Sequence, residues 1–250
     1  MNAPLPNKRD EAWRYADLKL LEGVWDDISA PEQITIKAGE SLSKQIIDIE
    51  SLGNGVAIAD LDVTIEDGAT FALHLLCSGA QYGRINVRAT LGKRSHFELG
   101  GAILGNGDQK LEIVTETIHA QPEATSNQVV RSVLGGKASG TFMGKVHVAR
   151  DAQRTDAAQS VKSMLLDRTA TANNKPELEI FADDVLCAHG ATVGELDQNA
   201  LFYMASRGLD PETAKRLMLQ AFIGDAFVSA GDDAREDIES KALAILEGLS

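Results

Sequence analysis

Cysteine is nearly absent from this chain: Cys77 and Cys187 are its only two, far apart and neither part of a CxxC pair. That excludes a disulfide framework and any four-thiolate zinc or iron–sulfur site built within one chain. No apolar run approaches the roughly 20 residues of a membrane span. The segment Met1–Lys8 lacks the apolar core of a signal peptide, so the expected location is the cytoplasm, away from membranes. Positive charge is scarce, with 24 Lys and Arg against 37 Asp and Glu and a formal net charge of −13. Such a field repels phosphate backbones and argues against nucleic acid as a partner. The GxGxxG, P-loop, HExxH and GxSxG strings are all missing, so the chain is not expected to bind a nucleotide or to act as a familiar hydrolase by itself.

What is present falls into three regions of different hydrophobic period. In residues 1–33, Trp13, Ala16, Leu20, Leu21 and Val24 recur at helical spacing, which predicts one amphipathic helix over Asp10–Asp27, ended by Pro31. Residues 34–196 read as strand after strand. Leu61–Ile65, Phe71–Leu75, Arg84–Arg88, Phe142–Val148 and Glu177–Ile180 alternate or carry strand composition, and Gly, Asn and Asp turns separate them. No helix interrupts this stretch, which argues against a doubly wound sheet and leaves a sandwich, a barrel or a β-solenoid. One pair of segments favours the solenoid: Val63–Leu73 resembles Ala89–Leu99, each a strand, a polar turn, a small residue and Phe-x-Leu. A repeat of that length is one coil of a stacked architecture.

Residues 197–250 are helical again. Asp197 can cap a helix carrying Leu201, Phe202 and Ala205 that stops at Gly208. Asp210-Pro211-Glu212 restarts the chain with a cap, a proline at the first helical position and an acid in the first turn. Its buried stripe is predicted to be Ala214, Leu217, Met218, Ala221 and Phe222. A last helix shows Ile238, Ala242, Ile245, Leu246 and Leu249 on one face. The expected arrangement is a helical hairpin packed on the end of the β body.

Chemistry concentrates at Asp183-Asp184-Val185-Leu186-Cys187-Ala188-His189-Gly190. In an extended strand, Cys187 and His189 point to the same side, and a thiolate with an imidazole suits iron or zinc. Two ligands are half a site, so completion requires a partner chain. A small buried cysteine beside a hydrogen-bonded histidine explains the same pair on spacing alone. The other histidines, His74, His96, His119 and His147, sit in strand or turn contexts that favour structural roles.

Arg154-Thr155-Asp156-Ala157-Ala158-Gln159-Ser160, Leu165-Leu166 and Asn174–Val185 follow one another in order. Cys187–Gly194 and Leu201–Gly208 continue the series. This succession, covering residues 154–228, resembles the SufB/SufD family of iron–sulfur cluster assembly scaffolds, and Glu11–Leu18 is similar to an entry motif of its SufD members. The ADDV-x-C-x-HG string and the short chain favour the SufD side. The resemblance implies a right-handed parallel β-helix flanked by an N-terminal helix and a C-terminal helical subdomain. It implies a non-enzymatic subunit that pairs with a SufB-like chain through β-helix strands and carries a SufC-like ATPase on its C-terminal helices. Whether the chain forms a homodimer when that partner is absent is left open by the sequence. His189 inherits the family's functional histidine and Cys187 the neighbouring cysteine. No cluster is expected to stay on the chain alone; a transient one forms at the SufB interface. The chain is short on its N-terminal side, so flavin binding by the complex is not carried over. Phe202, Tyr203 and Arg207 are candidates for the ATPase contact, because large aromatics and arginine anchor interfaces. A purely structural adaptor is the rival reading. A carbohydrate-active β-helix enzyme would need converging carboxylates that the sequence does not show.

Overall fold

The computed structural model describes residues 4–46, 49 and 51–249. Of the N-terminal segment read for a signal peptide, Met1–Ala3 lie outside the described residues. Strands rather than helices dominate, and nearly all of them pair in parallel.

One sheet stacks β1 (Glu32–Ile36), β4 (Val56–Ile65), β6 (Tyr82–Leu91), β8 (Lys110–His119), β10 (Ser139–Val148) and β12 (Thr171–Ile180) in that order, with β3 (Ser51–Gly53) antiparallel to β4. The facing sheet stacks β2 (Ser41–Ile46), β5 (Thr70–Ser78), β7 (His96–Gly105), β9 (Thr125–Leu134), β11 (Thr155–Leu165) and β13 (Val185–Glu195). The chain therefore alternates between two sheets and climbs one strand position per circuit, a parallel β-solenoid of about six coils.

The internal repeat seen in the sequence is the coil itself. Val63 lies beside Ala89 across β4 and β6, and Phe71 beside Phe97 across β5 and β7. The two phenyl rings stack with centroids 6.0 Å apart. Inward positions of both sheets build a continuous core that includes Ile65, Leu73, Leu75, Ile85, Leu99, Ile113, Val130 and Phe142. Leaving water at about 25 cal/mol per Å² of apolar surface, this ladder is the main stabilising term of the body. On the outer face of the first sheet, Asp62, Arg88, Glu116, Lys145 and Glu177 stand in register, one per coil. Opposite charges thus stack along the solenoid axis. Each exposed pair is worth little, yet like charges side by side would penalise a shifted register.

The N-terminal segment departs from the single helix that its spacing predicts. It forms three short pieces: a 3₁₀ turn at Glu11–Trp13, α1 at Leu18–Glu22 and a 3₁₀ turn at Trp25–Asp27. Asp17 interrupts the pattern by capping α1, accepting from the Leu20 amide at 3.3 Å. Tertiary contacts hold the segment against β6 and β8. The buried Arg84 guanidinium donates to the Ala12 carbonyl at 2.7 Å and lies 3.9 Å over the Trp13 ring, and Lys110 pairs with Asp17 at 2.6 Å.

Three helices follow the solenoid: α2 (Gln198–Ser206), α3 (Pro211–Gly224) and α4 (Asp232–Glu247). Asp197 and Asp210 cap α2 and α3 as their positions predict. The buried stripe of α3 is Ala214, Leu219 and Ile223, rotated from the predicted one, and Leu217 is exposed. The rotation follows from where the hairpin docks, which is the outer face of the second sheet and not the solenoid end. Leu76, Ala102, Leu104 and Val133 point outward there and meet Leu219, Ile223, Phe227, Ile238, Ala242 and Leu246. Arg131 clamps the joint, its Nε donating to Asp225 at 2.9 Å and its Nη1 to the Ser160 carbonyl at 2.8 Å.

Candidate functional site

The two ends of the solenoid are built differently. At the first coil, β1 and β2 are short and the antiparallel β3 crosses beside β4. At the last coil, β12 and β13 are full-length strands that, among the described residues, have a neighbour on one side only. An edge of that length presents a row of unpaired backbone donors and acceptors, together with an unsealed end of the core. Its side chains match. Phe181 is 53% exposed, Leu186 73% and Val193 51%, an apolar set bare at this rim.

Cys187 and His189 both lie on β13, two residues apart. Parallel register places Cys187 beside Ala157 and His189 beside Gln159 of β11. Ala157 and Gln159 are buried inward positions, so Cys187 and His189 share the inward-facing side of the terminal strand. Their surroundings differ. Cys187 is half-buried against Val146, Val148, Ala152, Ala157 and Ala182. Burial pushes its thiol up, a backbone hydrogen bond with Ala157 pulls it partly down, and the Asp156 charge adds to the rise. It therefore stays protonated at neutral pH, a poor ligand until something withdraws the proton. His189 is exposed at the open rim, and no described side chain hydrogen-bonds its ring. The second cysteine is remote from this chemistry: burial pushes Cys77 up to about 12.

The remaining histidines have local partners. His74 meets Ser229 at 3.2 Å, His96 Thr125 at 2.7 Å, His119 Ser126 at 2.9 Å and His147 Glu179 at 2.9 Å. Burial pushes His119 down to about 4, which keeps it neutral inside the body.

Among the described residues, no group of three or more His, Cys, Asp and Glu side chains is placed to hold a metal ion. The donor set at the rim, one imidazole and one protonated thiol, fits a shared site better than a resident one. Two clefts, of about 600 Å³ beside Ile46 and Ile58 and about 400 Å³ beside Trp13 and Arg84, contain neither Cys187 nor His189. The rim is an open strand edge and belongs to neither of these clefts.

The other candidate residues lie on α2 (Phe202 and Tyr203) and at its C-cap (Arg207), and no side chain of α2 is fully buried. Phe202 is 76% exposed and Tyr203 59%, with the Arg207 guanidinium 5.2 Å above the tyrosine ring. The helical spacing of Leu201, Phe202 and Ala205 therefore forms no core stripe. Spacing alone did not single out Gln159, Arg84 or Glu112. Their burial becomes legible only when residues about 30 apart are known to be stacked neighbours.

Comparison with known proteins agrees with this architecture. Residues 28–222 match the model of the family described as "SUF system FeS cluster assembly, SufBD core domain". The chain is 32% identical over 192 residues to Protein ABCI7, chloroplastic, of Arabidopsis thaliana, covering 76% of this chain and 40% of that one. It is 29% identical over 173 residues to the iron-sulfur cluster assembly protein SufD of Escherichia coli, covering 69% and 41%. With the SufD protein of Bacillus subtilis it shares 28% over 138 residues, 55% and 32% of the two chains. The matched region thus spans less than half of each of these relatives. Since the family match takes in every solenoid strand together with α2 and most of α3, the chain belongs to the SufB/SufD core family of iron–sulfur cluster assembly proteins, on its SufD side.

Proposed function

We propose that the chain is a non-enzymatic SufD-type subunit of a cytoplasmic iron–sulfur cluster assembly scaffold, and that its open rim is the working surface. The observation that carries this reading is the terminal strand β13, an unpaired full-length edge that presents His189 on its inward side beside a bare apolar rim. A SufB-like chain adds its own strands to β12 and β13, satisfying the open ladder and sealing the core. The cluster is cargo at that junction. His189 supplies one neutral nitrogen, as ligand or as proton carrier, and Cys187 supplies a thiol that becomes a ligand once deprotonated. The partner furnishes the rest of the shell. Without it, a second copy of the chain can occupy the same edge. Flavin has no place in this proposal. No described helix is long and apolar enough to cross a membrane.

Reconstitution of the three-subunit complex tests the reading. His189→Ala should leave stability within about 1 kcal/mol, because an exposed ring is removed. Complex formation should persist while cluster assembly is lost. Normal cluster assembly by that variant would defeat the assignment, and so would a loss matched by unfolding.

The SufC-like ATPase is proposed to dock on the C-terminal helices through Phe202, Tyr203 and Arg207. Exposed aromatics beside an arginine are the composition of an interface anchor. Replacing Phe202 and Tyr203 together by alanine should weaken ATPase binding by about 30-fold or more, on the scale of hot-spot truncations. Thermal stability should be unchanged, since both side chains are exposed. Titration calorimetry showing unaltered affinity would place the contact elsewhere.

A further inference from the structure

From β4 onward, formal charge changes sign from coil to coil. Counted from the start of its first strand to the end of its second, the β4–β5 coil carries four acids and no base, and the β6–β7 coil one acid and four bases. The β8–β9 coil has three acids and two bases, the β10–β11 coil two acids and four bases, and the last coil, β12–β13, five acids and one base. Ion pairs bridge successive coils in the same way: Lys37–Glu66 at 2.9 Å, Arg88–Glu116 at 3.7 Å, Arg154–Glu123, and Lys145–Glu179 at 2.6 Å. The acids of the last coil are only partly met from below. Glu179 is taken by Lys145, and Glu177 by Lys175 of its own strand at 3.1 Å. Asp183 and Asp184, in the turn that enters β13, and Glu195, its last residue, are exposed, and their side chains bond no described residue. They stand at the two ends of the open edge. The chain then leaves for α2, so no further coil of its own supplies the cations.

We propose that the coil closing this edge is a basic one: the partner's strand along β13 carries Lys or Arg opposite Asp183–Asp184 and opposite Glu195, and a second copy of this chain is the disfavoured occupant. That partner chemistry rests on the reading of the rim as the docking edge. A basic coil continues the alternation of sign that runs from β4 to β13, whereas a second copy breaks it. In a two-fold dimer the two copies of β13 run antiparallel, so the start of one strand lies beside the end of the other. Asp183 and Asp184 of each copy then approach Glu195 of the other, at both ends of the joint. Like charges opposed across strands are destabilising, and such juxtaposition is how an interface rejects the wrong chain. The open ladder and the bare apolar rim attract either occupant; charge chooses between them.

Three forms of the full chain test this: the parent, a neutral form (Asp183→Asn, Asp184→Asn, Glu195→Gln) and a reversed form (Asp183→Lys, Asp184→Lys, Glu195→Lys). All three positions are exposed, so circular dichroism and melting midpoint should match the parent. In sedimentation at about 50 mM NaCl, parent and reversed form should bind each other about tenfold more tightly than either binds itself, a factor that a few exposed ion pairs supply together. At about 500 mM, where the screening length falls to about 4 Å, that preference should vanish. The neutral form should bind itself more tightly than the parent does. It should bind the SufB-like subunit of the reconstituted complex about tenfold more weakly at low salt. Should the reversed form not fold, the neutral form carries the test alone. Equal self-association of parent and neutral form, or unchanged affinity of the neutral form for the SufB-like subunit, overturns the proposal. Amide hydrogen exchange separates it from the reading beneath it. Slowed exchange at residues 185–195 on adding that subunit, with the charge variants inert, keeps the docking edge and removes only its basic complement. No slowing there removes the edge itself, and the complement with it.

Discussion

Replacing Gly100 by alanine should detach the C-terminal helices from the solenoid at a cost of about 3 kcal/mol or more, at the upper end of overpacking penalties. Gly100 faces outward on β7, where the chain after α3 crosses the sheet. A Cβ on it would lie 2.0 Å from the Ala226 carbonyl oxygen and 3.0 Å from the His74 ring. The first contact is with backbone, so no rotamer change relieves it. Either β7 bends, which the stacked coils on both sides resist, or residues 225–227 lift off. Lifting breaks the Arg131–Asp225 pair and the His74–Ser229 contact, and it exposes Leu76, Ala102, Leu104 and Val133 to water. The expected signature is partial: faster proteolysis between α3 and α4 and a lower melting midpoint, with the β-sheet circular dichroism retained. A Gly100→Ala protein as stable as the parent would mean that the helices sit farther from β7 than the structure places them.

The second large effect concerns Arg84 and Glu112, an ion pair whose two side chains are almost entirely buried on the outer face of the first sheet. Trp13 covers it, and the Tyr82 hydroxyl donates to the same carboxylate at 3.0 Å. Burial pushes the Glu112 carboxyl up, while Arg84 and Tyr82 pull it back toward its ordinary range. Arg84→Met removes the cation and leaves a carboxylate stranded, which should cost about 3–5 kcal/mol near neutral pH. The sign of the pH dependence follows. Without Arg84, the folded-state value of Glu112 rises further above that of the unfolded chain. Stability of the variant is then fullest below the unfolded value and is lost as pH climbs through the folded one. The deficit against the parent should therefore shrink from about pH 7 to about pH 4.5, as the stranded acid takes up a proton. Adding Glu112→Leu to Arg84→Met should recover most of the loss, because a matched apolar pair of this kind is often neutral or better. Urea titrations of the parent, single and double variants at the two pH values measure all of this. A deficit that grows on acidification would contradict the account.

The amino-acid sequence by itself determined the local elements. Period-two alternation at Leu61–Ile65 and Phe71–Leu75, the turns between strands, and the caps at Asp197 and Asp210 depend on residues close in the chain, and the structure has each of them in place. The 26-residue offset between Val63–Leu73 and Ala89–Leu99 was legible too, and it is the register of β4 on β6 and of β5 on β7. The candidate pair Cys187 and His189 could be placed on one side of a strand for the same reason, since alternation needs no tertiary information. Only the tertiary structure decided what those side chains meet. Helical spacing at Asp10–Asp27 gave way to three short turns because Arg84, Lys110 and the Asp17 cap, distant or off-period, outweigh propensity over so few residues. The buried stripe of α3 was set by an apolar patch contributed by three separate strands, and no window of local sequence contains that patch. That the buried Gln159 amide bonds no described residue has the same origin. Whether a buried amide is bonded depends on which residues the facing coil brings across, and there Gly144 and Val146 stand where the coil below has Thr115 and Thr117.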